Sequence, residues 1–263
     1  MTRTVEWALM NWLEIREAAE RQPVVLVPAG TVETQGPTYV GYEAIFAEKI
    51  ALDAAGQTGS LVTPTIPFGW SADFEAVPGT ISIHPALLSS LYEDVARSIA
   101  RAGFFHIMFV AAHIPNQPPI EQMAYRLRRE LGIQVAWINP GAMATEVWRD
   151  IGPDYPVGRG HGADTGRSLA AFIRPDAVDL DAEINNEEQG DYNTLPFGLA
   201  FVLEDHAPVS GGFGDANHAS LERGELWYGE VLRRVVEAVE RYRAVESPRP
   251  LDLGMAPMSQ EER

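Results

Sequence analysis

The chain contains no cysteine among its 263 residues. This absence excludes disulfide bonds, thiolate metal sites and a cysteine nucleophile, and it fits the reducing conditions of the cytoplasm, where we expect the protein to act. Any metal ligands should therefore be carboxylate or imidazole groups.

Long apolar runs and basic residues are also scarce. No segment approaches the roughly 18 uninterrupted apolar residues that cross a bilayer. The N-terminal stretch MTRTVEWALMNWLEIREAAERQ carries charges through its apolar positions, which predicts an amphipathic helix rather than a signal peptide. With 20 basic and 37 acidic residues the formal charge is -17, which disfavours binding to nucleic acid or to an anionic membrane surface. The expected partner is a small-molecule substrate.

Apolar runs typical of buried strands alternate with segments of helical period. The runs predict strands at 24–30, 60–69, 104–112 and 133–140, and the periodic segments predict helices at 44–55, 84–103, 118–132, 165–175 and 221–245. This alternation predicts a single three-layer α/β/α domain with a largely parallel sheet over residues 1–246. Residues 247–263 are polar, contain proline and are terminal, so we expect a loosely ordered tail there.

Ligands of such sheets bind beyond the carboxyl ends of the strands, so polar residues after strands are the candidates for a site. Three such segments read GTVETQGPTYVGYE, AAHIPNQ and PVGRGHGADTGRS, and they supply Glu33, Glu43, His113, His161 and Asp164. Each residue also has an ordinary structural explanation. The negative charge of Glu43 is favoured by the helix dipole in the first turn of a helix, and the side chain of Asp164 can cap the N-terminus of another.

The order and spacing of four motifs resemble the creatininase family, also called creatinine amidohydrolases, with the departures of a divergent member. PAGTVETQGPTYVGYEAIFAE keeps the proline, the glycine, Glu33 and Gly36-Pro37 of the family's first motif. PFGWSADFEAVPGTI at 67–81 matches the family's P-x-G-x-S-x-E-H-x-x-F-P-G-T-I. VAAHIPN at 110–116 matches a strand that ends N-G-H-G-G-N, and HGADTGRS at 161–168 loosely matches H-A-G-E-x-E-T-S. The resemblance spans residues 10–240 and implies a creatininase-like fold.

The resemblance implies a metal site. In the family, a Glu and an Asp of the first motif join the histidine of the third motif around one divalent ion. Glu33 and His113 stand in these places, and Glu43, one methylene longer, replaces the Asp. Three protein ligands with open positions describe a catalytic ion, and this ligand set admits zinc, manganese or iron(II).

A second ion, which the family also holds, is expected to be lost. Its histidine ligand is Gln35 here, the other histidine of that motif is Thr38, and Pro115 stands where some members have a further Glu. A neutral amide is a poor ligand for zinc or manganese. The resemblance therefore implies a mononuclear site.

The resemblance also implies that His161 moves protons to the leaving group, while Asp164 orients His161 or accepts a proton. Gly166 replaces the family's next acidic residue, which alters this relay and weakens the case for creatinine as the substrate. The residues expected to contact the substrate are Gln35, Tyr42, Trp70 and Phe74; core packing is the alternative for the last two.

These expectations describe a metal-dependent hydrolase that cleaves a C–N bond, in an amide or cyclic amide, of a small molecule. Family resemblance alone implies that the chain forms a homo-oligomer, a hexamer. Two alternatives stay open at this point. One is a metal-assisted lyase or isomerase on a small cyclic or keto substrate, and the other is a metal-free homologue that binds a ligand or a partner.

Overall fold

A four-stranded parallel sheet forms the centre of the computed structural model of this chain, which describes residues 4–151, 160–186 and 211–246. In chain order the strands are β1 (Val25–Ala29), β2 (Leu61–Val62), β3 (Ile107–Ala111) and β4 (Val135–Ile138). Their spatial order is β2-β1-β3-β4, and every neighbouring pair runs parallel. The predicted α/β class with a parallel sheet is confirmed.

Seven α-helices surround the sheet in the described ranges. They are α1 (Trp12–Arg21), α2 (Tyr42–Thr58), α3 (Pro85–Arg101), α4 (Gln117–Leu131), α5 (Pro140–Ile151), α6 (Asp164–Ile173) and α7 (Leu221–Arg243). The sequence predicted all of them except α5. Pro140 suits the first turn of α5, where no N–H is needed, and the Asn139 side chain accepts a hydrogen bond from the Ala142 backbone at 2.8 Å.

The strand predicted over 60–69 is wrong in its length. Only Leu61 and Val62 form β2, and isolated bridges follow at Ile66 and Gly69. Pro64 and Pro67 cannot donate backbone hydrogen bonds, so a regular ladder cannot continue through this segment.

Apolar side chains cover both faces of the sheet, because successive residues of a strand point to opposite sides. Leu26 of β1 belongs to one buried cluster, with Phe46 of α2 and Trp227 of α7. Val27 belongs to the other, with Tyr92 of α3. The sheet is thus the middle of three layers, as predicted.

The register of β1 and β3 brings their carboxyl ends together. Ala29, the last residue of β1, pairs with Ala111, the last residue of β3. Glu33 and His113 follow these two ends closely, so the loops that carry them leave the sheet side by side.

The predicted tail, residues 247–263, lies outside the described residues. Within the described ranges, the helices lack the combined length and apolar character that crossing a membrane requires.

Candidate metal centre

Three ligating side chains meet beyond the carboxyl edge of the sheet. Glu33 lies in the loop after β1, Glu43 in the first turn of α2, and His113 directly after β3. One ligand atom from each residue lies within 4.8 Å of the others. The structure therefore brings together the three residues predicted to hold a metal ion.

His113 sits between the two carboxylates. Its Nδ1 atom is 2.6 Å from Oε2 of Glu43, and its Nε2 atom is 3.6 Å from Oε2 of Glu33 and 2.8 Å from the Trp70 carbonyl oxygen. Burial lowers the pKa of His113, but the charge and hydrogen bond of Glu43, the charge of Glu33 and the Trp70 carbonyl together outweigh burial and raise this pKa to about 9. In this arrangement both ring nitrogens donate, which is the imidazolium form.

Glu33 provides the test of whether a cation fits. The residue is 1% exposed, and its Oε2 atom has no hydrogen-bond partner among the described residues. Burial raises the pKa of Glu33 to about 7, although the nearby His113 opposes the shift. A buried carboxylate oxygen without a donor is stabilised by a cation. Two carboxylates and one imidazole therefore fit a divalent ion.

Two glycines allow the loops of the site to pack closely. A Cβ at Gly30 would lie 2.4 Å from the Cα of Ala44, so only glycine lets the loop after β1 run against the start of α2. Gly162 has φ +68°, and a Cβ there would lie 2.3 Å from the Gln35 carbonyl oxygen. This second contact places His161 beside the loop that carries Glu33.

His161 is held in one orientation. Its Nε2 atom lies 2.6 Å from the Thr34 carbonyl oxygen and 3.3 Å from Oε1 of Glu33. Its ring stacks on Phe74 with centroids 4.3 Å apart and planes inclined by 14°. Burial lowers the pKa of His161, which favours the neutral ring. Because Nε2–H donates to the Thr34 carbonyl, the lone pair of the neutral ring lies on Nδ1, where it can accept a proton.

Asn116, which is wholly buried, fixes the loop that carries Trp70. Its Oδ1 atom accepts a hydrogen bond from the Trp70 backbone at 3.1 Å, and its Nδ2 donates to the Gly30 carbonyl at 2.8 Å. The sequence analysis assigned no role to Asn116. Its match to the final asparagine of the third family motif could have marked it as a residue of the site.

A pocket of about 270 Å³ adjoins these residues. Its polar lining consists of Glu33, Glu43, Ser71, Asp73, His113 and His161, and its apolar lining includes Trp70, Phe74, Ile114 and Pro115. Trp70 and Phe74, which the sequence analysis expected to contact the substrate, both line this pocket. Ser71 and Asp73, which the sequence analysis did not single out, share this wall.

Three predicted site residues do not line this pocket. Gln35 is 4% exposed, and its Nε2 atom has no hydrogen-bond partner in the described part of the chain. Tyr42 lies in the core, where its ring stacks on Phe46 with centroids 5.8 Å apart. In this conformation, neither Gln35 nor Tyr42 is positioned to contact a substrate in this pocket.

Asp164, the third, opens α6 and pairs with Arg223. Its backbone N–H donates to the Asp215 carbonyl at 2.9 Å, and the helix cap is Ala163 rather than Asp164. Its carboxylate is therefore directed to Arg223, and the hydrogen bonds of His161 described above go to other groups.

Comparison with known proteins finds a matching family and related enzymes. The family Creatininase, described as creatinine amidohydrolase, matches residues 8–239. A creatinine amidohydrolase of Pseudomonas putida is 24% identical over 260 residues, which cover 91% of this chain and 97% of the relative. A mycofactocin precursor peptide peptidase of Mycolicibacterium smegmatis is 27% identical over 238 residues, 86% of this chain and 88% of the relative.

Solved creatininases share the fold. A mutant creatininase complexed with creatine, a mutant of the Zn-Zn type and a manganese creatininase each give a TM-score of 0.80 at 23% identity. They cover 92%, 93% and 92% of this chain, respectively, and 100% of their own chains. At this identity the likeness establishes the architecture.

Proposed function

The chain belongs to the creatininase family, and we propose that it is a metal-dependent hydrolase of a C–N bond in a small amide or cyclic amide. The matched family is one of amidohydrolases, and the two relatives named above are an amidohydrolase and a peptide peptidase. The observation that carries the proposal is the convergence of Glu33, Glu43 and His113 on one wall of a pocket.

In this proposal these three side chains hold one divalent ion, which is zinc, manganese or iron(II). When bound, the ion would supply a Lewis acid that polarises the amide carbonyl and acidifies water. Solved relatives of the Zn-Zn and manganese types support the choice of metals. We propose a single ion, because the amide of Gln35 is a weak ligand and Pro115 offers no side-chain donor.

The residues of the chain then have distinct tasks. The Nδ1 atom of His161 accepts a proton and passes it to the leaving nitrogen, while the Thr34 carbonyl and the Phe74 ring hold the imidazole in place. Trp70 and Phe74 enclose the substrate and exclude water from it. Asp164 supports this machinery through its pair with Arg223, which fixes the start of α6 three residues after His161.

Gln35 and Tyr42 would support the site indirectly, by packing behind the segments that carry Glu33 and Glu43. Gln35 is buried beside the loop of Glu33, and its carbonyl oxygen touches Gly162 closely. Tyr42 anchors the start of α2, the residue before Glu43, in the core.

One observation favours a metal-free binding protein as the second candidate. The ring nitrogens of His113 are both engaged by protein groups, Glu43 and the Trp70 carbonyl, so a proton on His113 balances one of the two carboxylate charges without any ion. Elemental analysis separates the two candidates. Protein purified without chelator and incubated with zinc, manganese or iron(II) should retain close to one ion per chain; less than about a tenth would favour the metal-free protein.

A lyase or an isomerase is distinguished by the fate of water. Hydrolysis places one solvent oxygen in the acid product, whereas elimination or isomerisation of the same substrate does not. Turnover in ¹⁸O-labelled water, followed by mass spectrometry of the product, should therefore show label in the new carboxyl group. Unlabelled product would exclude the hydrolase.

We further propose that the protein is a cytoplasmic homo-oligomer, a hexamer. The absence of cysteine supports the compartment, and family resemblance supports the assembly. Light scattering during size-exclusion chromatography tests the assembly directly. A monomeric mass across the accessible concentration range would contradict it.

A further inference from the structure

Three carboxylates line the pocket, and among the described residues of its lining only His113 carries a positive charge, which is paired with Glu43 and Glu33. Glu33, Glu43 and Asp73 supply the carboxylates, whereas no lysine or arginine lines the pocket within the described ranges.

A divalent ion would balance two of these charges. Glu33 and Glu43 are the carboxylates placed with His113, so an ion held there leaves the charge of Asp73 uncompensated. Asp73 lies on a short 3-10 helix, Ala72–Phe74, and it has no ion-pair partner within 4.0 Å in the described part of the chain. Asp73 lines the same pocket as His113 and His161.

The surroundings of Asp73 suit a positively charged nitrogen. Trp70 and Phe74 flank it in the pocket lining, and aromatic faces attract ammonium and guanidinium groups. In the proposed function the Glu33 oxygen that lacks a hydrogen-bond donor among the described residues is taken by the divalent ion, so Asp73 is the carboxylate of this lining that remains for a second cation.

We propose that this pocket selects amides that carry a positively charged nitrogen away from the scissile bond, and that Asp73 is the specificity-determining residue that binds this nitrogen. The claim that the amide of such a substrate reacts at the metal centre rests on the proposed hydrolase function. The charge selectivity rests on Asp73 and the aromatic residues beside it.

Binding of three matched amides to the zinc-loaded protein tests the proposal without relying on turnover. 4-Aminobutyramide carries an ammonium group, pentanamide is its neutral analogue, and glutaramate is the anionic one. By calorimetry or ligand-observed NMR, the cationic amide should bind about fivefold or more tightly than the neutral one, with the anion weakest. Asp73→Asn should remove most of the difference while zinc content stays unchanged.

Glu75→Gln is the matched control, since it removes one negative charge from the same loop at a position that does not line the pocket. This variant should keep the preference. Equal or reversed binding of the three amides, no detectable binding of the cationic one, or a preference that survives Asp73→Asn would each overturn the proposal.

The zinc content and the hydrolysis assays are read separately, so the two proposals fail in different ways. If the chain holds no metal and hydrolyses nothing, the hydrolase falls, while the preference for the cationic amide is still measured on the metal-free protein. If metal and hydrolysis are present but binding ignores charge, only the role of Asp73 falls.

Discussion

The Nδ1 atom of His113 lies 2.6 Å from Oε2 of Glu43, which joins the end of β3 to the first turn of α2. The parallel register of β1 and β3 sets this contact, because it brings the loops after both strands to one edge. The same imidazole cannot keep both N–H groups and also ligate an ion. A metal and a proton therefore compete for His113.

Loss of either a carboxylate or the imidazole should abolish metal retention. We expect Glu33→Gln and His113→Ala each to retain less than about a tenth of the metal held by the unmodified chain, because two ligands do not hold a divalent ion in competition with water. Elemental analysis measures the metal, and circular dichroism checks that the variants are folded.

His84→Ala provides the control for that pair. His84 caps α3, where its Nδ1 accepts from the Ala86 backbone, and it does not line the pocket. This variant should keep its metal. Normal metal content in Glu33→Gln or in His113→Ala would remove that residue from the site.

His161→Ala should separate binding from chemistry. The variant should retain its metal but lose about 10²- to 10⁴-fold in kcat on any amide that the unmodified chain hydrolyses, because it lacks the group that transfers the proton. His218→Ala is the comparison, as His218 lies outside the pocket near Asp215. Undiminished turnover by His161→Ala would dismiss His161 as the acid–base group.

Most of the fold could be predicted from the sequence because the pattern of burial is regular. All five residues of β1 and of β3 are buried, and such strands are continuous apolar runs. The helix α5 was missed because the pair Pro140-Gly141 is typical of a turn. The hydrogen bond by which Asn139 caps the helix is visible only in the structure. The length of β2 was wrong because two prolines interrupt an otherwise apolar segment.

Less of the site could be predicted. The convergence of Glu33 with His113 followed from strand order and family resemblance. The side-chain partners did not, because they depend on packing between segments far apart in sequence. Asp164 turns to Arg223, 59 residues away, and Tyr42 turns into the core. Asp73 had a signal in the sequence, because it stands at the glutamate of the second family motif, but the structure was needed to show that it lines the same pocket as His113 and His161.

Two glycines that lie four positions apart should respond in opposite ways to alanine. Gly162→Ala should lower the free energy of unfolding by about 1–3 kcal/mol, because φ is +68° and the new Cβ would collide with the Gln35 carbonyl. Gly166→Ala should be neutral or raise it by about 0.4–1 kcal/mol, because this helical position has open space around it. Urea denaturation measures both. Equal effects would refute the close packing of the first and fourth motifs.

Asn116→Ala should destabilise the loop that carries Trp70. Removal of the amide leaves the Trp70 N–H and the Gly30 carbonyl without their partners, at a cost of about 2–3 kcal/mol in the free energy of unfolding. Asn116→Asp keeps the acceptor for Trp70, but its ionised carboxylate would be buried against the Gly30 carbonyl oxygen. It should therefore cost at least as much as Asn116→Ala while ionised, and less at a pH where the carboxyl is protonated and can donate to that carbonyl. Denaturant titrations of the two variants at both pH values measure the difference, and equal costs at the lower pH would contradict the separate roles of the two amide atoms.

The most direct test is a crystal structure of protein grown with excess zinc, with anomalous data collected on both sides of the zinc absorption edge. We expect one anomalous peak per chain, ligated by Glu33, Glu43 and His113, with the side chain of Gln35 contributing nothing. Water alone between these residues, or zinc bound elsewhere while His113 keeps its contacts with Glu43 and Trp70, would contradict this expectation.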